Sequence, residues 1–253
     1  MPPEARLAPA VRCHRCMGTV ASLHVQGEVT PALVDEAAGA AFAELDRLEA
    51  VFSTFRPASA VSRINRGELH PLDAGDEVLE VLDACTWLEH ASGGAFRSRR
   101  PGDGSLDPAG FVKGWAAERA AQHLAGLAHW YLSLGGDLVA HGTQADGSPW
   151  RVAVADPLHP NEIVAAVDVV DAAVATSGTA ERGTHVWDGR TMAPAAGLAS
   201  MTVVGPSLAW ADAFATAAFA MGAAGLSWLA GLADHHGLAV TTDGRVLTTP
   251  GWA

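Results

Sequence analysis

The sequence predicts an α+β protein with a mainly antiparallel sheet and packed helices. Strand-like segments come in runs, and helical segments lie between the runs without a regular βαβ alternation. A two-residue turn signal, Asp243-Gly244, joins the last two apolar runs as in a β-hairpin. With 253 residues, of which 49% are hydrophobic and 17% charged, the chain is long enough to bury a substantial core and is not of disordered composition.

Apolar periodicity and capping residues predict the helices. They are expected from Pro31 to about Val51, over 77–90, from about Ala209 onward, and from Asp107-Pro108, as N-cap and first helical residue, to about Ala125. Strands are expected over 17–25, 131–134, 138–141, 150–154, 163–170, 201–204, 238–242 and 245–249. The stretch 53–65 is predicted to be a polar, turn-rich connection. A segment over 1–16 is expected to precede a single domain over 17–253.

Charge and apolar pattern exclude several classes of protein. The formal net charge of −12 argues against a nucleic-acid binder, although a small anionic ligand can bind where a cation screens it. The first twelve residues lack the apolar core of a secretory signal, so a cytoplasmic location is expected. The uncharged stretch 213–233 is rich in alanine and glycine, which favours two short buried helices over a membrane span.

The three cysteines cannot form a disulfide framework for a chain of this length. Cys13 and Cys16 form a lone CxxC pair, which is compatible with a redox dithiol or half of a zinc site. No partner ligands follow at zinc spacing, so two ordinary thiols are the favoured interpretation.

One pair of oxygen ligands stands out. Asp212 and Thr216 are four residues apart in a predicted helix, so both side chains lie on one face. A carboxylate and a hydroxyl suit Mg²⁺. The same pair is also compatible with an ordinary helix start whose threonine bonds back to the backbone, and the spacing does not decide between the two.

Three further features could bind phosphate or act on a proton. Lys113 falls in the first turns of a predicted helix, where backbone N–H groups can hold a phosphate, but a surface lysine fits as well. The stretch Thr176-Ser177-Gly178-Thr179 is expected to be a polar loop after an apolar run, and such loops are either phosphate sites or plain turns. His185 is a candidate general base or a structural histidine.

The order of these motifs along the chain resembles the ApbE-type FAD:protein FMN transferases. The matching segments are MGT at 17–19, FSTF and SAVSRIN within 52–65, GGAF at 93–96, LDPAGFVKGWAAERA at 106–120, LGGDLVAHG at 134–142, ATSGTAERGTHVWD at 175–188 and ADAFATAAFAMG at 211–222. The most specific are D-x-x-G-x-x-K-G and A-D-x-x-x-T. The short chain is similar to a compact actinobacterial branch. The resemblance implies a T-fold-like α+β domain.

The resemblance also implies site roles. It implies a Mg²⁺ ion held by the side chains of Asp212 and Thr216 and by the backbone carbonyl of Gly110. It implies contacts to FAD from Asp107, Lys113, Met17, Phe55, Ala95, Phe96 and Val186. His185 matches the histidine that activates an acceptor hydroxyl, and Lys113 would steady the phosphates. The implied partners are FAD and an acceptor protein with a threonine or serine flavinylation site, with AMP released.

Three departures from the family pattern affect the pocket rim. Arg97 follows Phe96 where the family usually has an aspartate, and Gly189 and Met192 replace a proline and a glycine after His185. The segment between GGAF and Asp107 is also short. Two alternatives stay open: the same fold as an FAD pyrophosphatase that uses water, and a flavin-binding protein without catalysis.

Overall fold

One sheet of eight strands organises the chain. In the computed structural model, which describes residues 9–179 and 186–252, the strands are β1 (Ala10–Cys16), β2 (Thr19–Val25), β3 (Trp130–Leu134), β4 (Asp137–His141), β5 (Trp150–Ala155), β6 (Ile163–Val169), β7 (Ala173–Gly178), β8 (Trp187–Asp188), β9 (Ala193–Pro194), β10 (Leu198–Gly205), β11 (His236–Thr241) and β12 (Val246–Thr248). The main sheet has the order β1-β2-β3-β4-β7-β10-β11-β12, and every neighbouring pair is antiparallel. β5 pairs with β6, and β8 with β9.

The helices are α1 (Pro31–Phe52), α2 (Ala60–Asn65), α3 (Asp76–Ala91), α4 (Ala109–Ala121), α5 (Leu208–Met221) and α6 (Gly225–Leu229). They cover one face of the sheet, and the β5–β6 hairpin covers part of the other. Strand alternation makes this possible, since Ala173 and Ala175 of β7 join the helix-side core while Val174 packs with Trp150 of the hairpin. The predicted α+β fold with a mainly antiparallel sheet is confirmed.

Three segments differ from the sequence-based expectation. Residues 10–16, expected to precede the first strand and the domain, form the edge strand β1. Two of its helix-facing side chains are polar and pair with α1: Arg12 Nε lies 2.5 Å from Asp35 Oδ1, and His14 Nε2 lies 2.9 Å from Asp46 Oδ1. A strand with polar residues on both faces lacks the apolar alternation by which strands are found in a sequence.

The other two differences are local. Part of the expected turn-rich stretch 53–65 is the short helix α2. Ser59 is its N-cap, and the serine hydroxyl accepts a hydrogen bond from the Ser62 N–H at 3.0 Å. The expected polar loop at 176–179 is mostly strand: Thr176 to Gly178 continue β7 and pair with β10. In addition, Pro108 is the N-cap of α4, so this helix begins one residue later than expected.

The CxxC pair is divided between the two faces of β1. Cys13 is exposed, whereas Cys16 is buried against the helix-side core. Residues three apart in a strand point to opposite faces, so the two thiols are not placed to share a disulfide or a metal. Burial raises the pKa of the Cys16 thiol to about 11. The favoured interpretation as ordinary thiols fits this arrangement.

The apolar stretch near the C-terminus is a core element. The segment Leu208–Leu229 is long and apolar enough to cross a membrane, and the mean hydropathy of its most apolar 18 residues is 1.2. However, 72% of those residues are buried within the protein. α5 is apolar on most sides because it packs against the sheet, α4 and α6 together. Packing inside the protein therefore explains the apolar character of this helix.

α4 and α5 approach each other closely at Gly114. A Cβ atom at this position would lie 2.5 Å from the Leu208 carbonyl oxygen and 2.8 Å from Asp212 Cβ. Such contacts force neighbouring backbone to move. Only glycine allows the observed approach of the two helices.

We predict that Gly114→Ala lowers the free energy of unfolding by about 2 kcal/mol, because overpacking outweighs the better helix propensity of alanine. Gly39→Ala is the matched control, since Gly39 is also inside a helix but its added Cβ would meet nothing within 4 Å. This control should be neutral or slightly stabilising. Urea denaturation of both variants measures the difference, and an equally stable Gly114→Ala protein would contradict the packing argument.

Candidate active site

Asp212 is held at the contact between α4 and α5. Glu118 of α4 fixes the first turn of α5, because its Oε2 accepts hydrogen bonds from the Ser207 hydroxyl at 2.7 Å and the Ala209 N–H at 2.9 Å. One turn later, Asp212 faces Gly114 of α4. Its side chain is 3% exposed, and its Oδ2 accepts a hydrogen bond from the Gly114 N–H at 3.0 Å.

The charge of Asp212 is poorly solvated. Burial raises the pKa of its carboxyl group above the usual range; the charge of Lys113 counteracts this rise, and that of Asp137 adds to it. Lys113 Nζ lies 3.5 Å from Asp212 Oδ1. A carboxylate in this position is stabilised by any further cation that comes close to it.

Asp137 is a second buried carboxylate beside the same lysine. It is the first residue of β4, immediately after the two-residue turn Gly135-Gly136, whose φ values of 61° and 92° suit glycine. Its Oδ1 accepts a hydrogen bond from the Thr176 N–H of β7 at 2.8 Å, and its Oδ2 forms an ion pair with Lys113. Asp137 thereby connects β4, β7 and α4.

Lys113 is the only lysine in the sequence. Burial alone would lower the pKa of its amine, but the charges of Asp212 and Asp137 outweigh this and raise it above the usual value. The lysine is therefore a fixed positive charge between two carboxylates. The three groups together carry a net charge of about −1 when all are ionised.

Hydroxyl groups complete this region. The Thr216 hydroxyl of α5 and the Ser177 hydroxyl of β7 are 2.9 Å apart and share a hydrogen bond. The Thr216 methyl group lies 3.3 Å from the position that a Cβ on Gly110 would take, and the Phe96 ring lies 3.0 Å from it. Gly110, Phe96 and Thr216 are thus in contact.

These groups fit a Mg²⁺ ion. Asp212, Thr216 and Ser177 offer hard oxygen atoms, and the buried carboxylate lacks water to stabilise its charge. In a regular α-helix the Gly114 N–H donates to the Gly110 carbonyl. A carbonyl oxygen has two lone pairs, so the Gly110 carbonyl keeps one for a cation even when it accepts this bond.

The expected flavin contacts divide into two groups. Ala95 and Phe96 are fully buried, and Met17 and Val186 are partly buried against the same helix-side core. Phe55 differs, since it is 89% exposed. Its neighbour Thr54 accepts a hydrogen bond from Arg100 at 3.1 Å, which places this loop beside Asp107.

Asp107 and the start of α4 already have partners. Arg100 Nε lies 2.7 Å from Asp107 Oδ2. The Phe111 and Val112 N–H groups donate to the Pro108 carbonyl at 2.9 and 3.0 Å, and the Ala109 N–H donates to Asp107 at 3.3 Å. The sequence-based hypothesis of a first turn open to phosphate is therefore not supported for these three N–H groups. Lys113 points instead toward Asp137 and Asp212.

Two departures from the family pattern contact each other. A Cβ on Gly189 would lie 2.5 Å from Arg97 Cγ and 2.4 Å from the Gly94 carbonyl, and the Gly189 N–H donates to Ala95 at 2.9 Å. Proline has no N–H and would collide here, so Gly189 is required by the local packing around Arg97. His185 lies outside the described residues, and its role as a base stays a prediction.

Sequence reasoning missed Asp137 and considered Ser177 only as part of a loop that either binds phosphate or forms a plain turn. Asp137 lies in the segment LGGDLVAHG and Ser177 in a stretch expected to be a loop. The signal for Asp137 was an acidic residue directly after a glycine pair that ends a strand. Its contacts with Lys113 and Thr176 depend on sheet order, which local pattern does not contain.

Comparison with known proteins assigns the fold to a family. The sequence model of the ApbE family matches residues 17–99 and 97–240. The chain belongs to the ApbE family. A flavin transferase ApbE from Vibrio cholerae has the same fold, with a TM-score of 0.82 at 21% identity over 97% of this chain and 98% of that one. The ApbE protein of Thermotoga maritima gives a TM-score of 0.81 at 22% identity, over 96% and 97% of the two chains.

Sequence relatives of this ApbE-family chain are named FAD:protein FMN transferase. The protein of Klebsiella pneumoniae (strain 342) is 30% identical over 163 residues, which is 58% of this chain and 47% of the relative. The Salmonella typhimurium (strain LT2) protein is 30% identical over 161 residues, 57% and 46% of the two chains. In these alignments the chain spans about half the length of the relatives.

We predict that Lys113→Met lowers the free energy of unfolding by roughly 3 kcal/mol at neutral pH, because Asp137 and Asp212 then remain buried without their lysine. Arg151→Met is the matched control: Arg151 is also ion-paired, with Asp168 at 3.4 Å, but its side chain is 70% exposed. It should change stability by less than about 0.5 kcal/mol. Urea denaturation compares the two, and equal losses would contradict the buried ion-pair arrangement.

Proposed function

We propose that this ApbE-family protein transfers the FMN half of FAD to a threonine or serine hydroxyl of an acceptor protein, in a Mg²⁺-dependent reaction that releases AMP. The names of its relatives support the reaction class. The single observation that carries the proposal is the cluster in which buried Asp212 lies beside Lys113 and, one turn away, Thr216 bonds Ser177. Such a cluster stabilises a cation, and a cation is what a pyrophosphate needs in an acidic protein.

The residues for the ion are Asp212, Thr216 and the Gly110 carbonyl. Mg²⁺ bound there would offset phosphate charge and stabilise the charge that develops on the leaving AMP. Lys113 adds a fixed positive charge beside the phosphates. Phe96, whose ring lies against Gly110, adds apolar surface next to these oxygen ligands.

The transfer step is balanced without a redox partner. The acceptor hydroxyl oxygen attacks the phosphorus of the FMN half, a new O–P bond forms, and the P–O bond to the AMP half breaks with its electrons leaving on AMP. His185 accepts the hydroxyl proton. The same step with water as the nucleophile gives FMN and AMP, which is the pyrophosphatase alternative.

One incubation separates the possible activities. Protein, FAD, Mg²⁺ and candidate acceptor proteins are combined, AMP and free FMN are quantified by chromatography, and the acceptor is weighed by mass spectrometry. AMP formed together with a flavinylated acceptor supports transfer. AMP with an equal amount of free FMN would identify a hydrolase, and FAD that stays intact while bound would identify a non-catalytic flavin protein.

We predict that Asp212→Asn slows FMN transfer by about a hundredfold or more, the scale for loss of one group that stabilises transition-state charge. The amide keeps the shape and the acceptor for the Gly114 N–H, so the fold should persist. Asp168→Asn is the matched control. Asp168 is also an ion-paired aspartate, but its side chain is 51% exposed, so this substitution should leave the transfer rate unchanged. A fully active Asp212→Asn protein would exclude the assigned metal ligand.

We predict that His185→Ala leaves FAD affinity nearly intact and slows transfer about a hundredfold or more, the usual scale for a lost general base. The wild-type rate should also fall as the pH drops through the histidine titration, because a protonated imidazole cannot accept a proton. His90→Ala, at an exposed position near the end of α3, is the control. Transfer by His185→Ala at the normal rate would move the search for the base to Asp212.

A further inference from the structure

Asp137 has a place in the cluster that none of the assigned roles explains. It is 2% exposed, and it lies closer to Lys113 than Asp212 does. A buried carboxylate beside an anionic substrate is unfavourable for binding unless it serves another group. Its contacts indicate which group that is.

The orientation of the Asp137 side chain is fixed from two sides. The Gly135-Gly136 turn brings it to the start of β4, and the Gly135 N–H donates to the Val20 carbonyl at 3.1 Å, which ties this turn to β2. The Thr176 N–H then holds Oδ1, and Thr176 is itself anchored by a 2.9 Å hydroxyl contact to Thr202 of β10. Oδ2 is thereby directed at Lys113.

This arrangement determines how the lysine charge is shared. Lys113 forms its closer ion pair with Asp137 and stands 3.5 Å from Asp212. Without the charge on Asp137, the lysine would pair with Asp212 alone. A lysine that forms an ion pair with Asp212 competes with a metal ion, because both are attracted by the same negative charge.

We propose that Asp137 is a positioning residue that draws Lys113 away from Asp212 and so keeps the Asp212 carboxylate available to a divalent cation. This inference rests on the proposed function for the identity of the cation and of FAD. Asp137 acts through Lys113 and does not touch the reacting atoms. Its effect therefore depends on the lysine being present.

The test is a double-variant cycle on the full chain with Asp137→Asn, Lys113→Met and both together. Asparagine keeps an oxygen for the Thr176 N–H and removes only the charge. Mg²⁺ binding is measured directly by titration calorimetry without FAD, because Lys113 also adds charge beside the phosphates of FAD. Asp137→Asn should raise the half-saturating Mg²⁺ concentration roughly tenfold, and adding Lys113→Met should return it to within about threefold of wild type, since no lysine then competes for Asp212.

A second reading uses thermal stability without FAD or Mg²⁺. The double variant should melt at a higher temperature than Lys113→Met alone, because asparagine removes one of the two uncompensated carboxylates. Asp168→Asn is the control for loss of an ion-paired aspartate far from the cluster and should behave as wild type in both assays. If Asp137→Asn alone does not fold, the proposal still requires the double variant to fold, because the effect of Asp137 depends on Lys113.

The opposite outcomes overturn the inference. If the effects of the two single variants simply add up in both assays, Asp137 anchors β7 independently of Lys113. If Asp137→Asn leaves the half-saturating Mg²⁺ concentration unchanged, Lys113 does not compete with the ion for Asp212. If the wild-type protein binds no FAD at any Mg²⁺ concentration, the proposed function fails. The melting temperatures then decide the coupling of Asp137 and Lys113 on their own.

Discussion

The burial of one carboxylate, that of Asp212, is the constraint on which the rest of the molecule depends. An ionised carboxylate inside a protein needs hydrogen bonds and opposite charge at close range. The Gly114 N–H supplies the first and Lys113 the second. Both come from α4, so α4 and α5 must lie almost in contact. At Gly114 this contact leaves no room for a side chain.

The same constraint explains how an acidic protein can handle an anionic substrate. The formal charge of −12 repels phosphates over the surface as a whole. Around Asp212, the local balance is adjusted by one lysine and by oxygen ligands grouped for a cation. Under the proposed function, this cluster would attract the dinucleotide, and the strength of the attraction would depend on the supply of the metal.

Elements with a strong apolar period could be predicted from the sequence, whereas those defined by distant partners could not. α1 and α3 were predicted to within two residues, because their periodicity and boundaries are local. β1 was not predicted, because two of its inward side chains, Arg12 and His14, are polar and pair with α1. For the site, the spacing of Asp212 and Thr216 identified one helix face. The role of Asp137 depends on β4, β7 and α4 meeting, which only the folded sheet establishes.

The uniqueness of Lys113 has a practical consequence. A protease that cuts only after lysine has one possible cleavage point in the whole sequence, and that point lies inside α4, between two buried carboxylates. Cleavage there requires the helix to unwind locally and leave its contact with α5. When reclosing is faster than cleavage, the rate at which the chain divides into two fragments reports the fraction of molecules in which this helix pair is open.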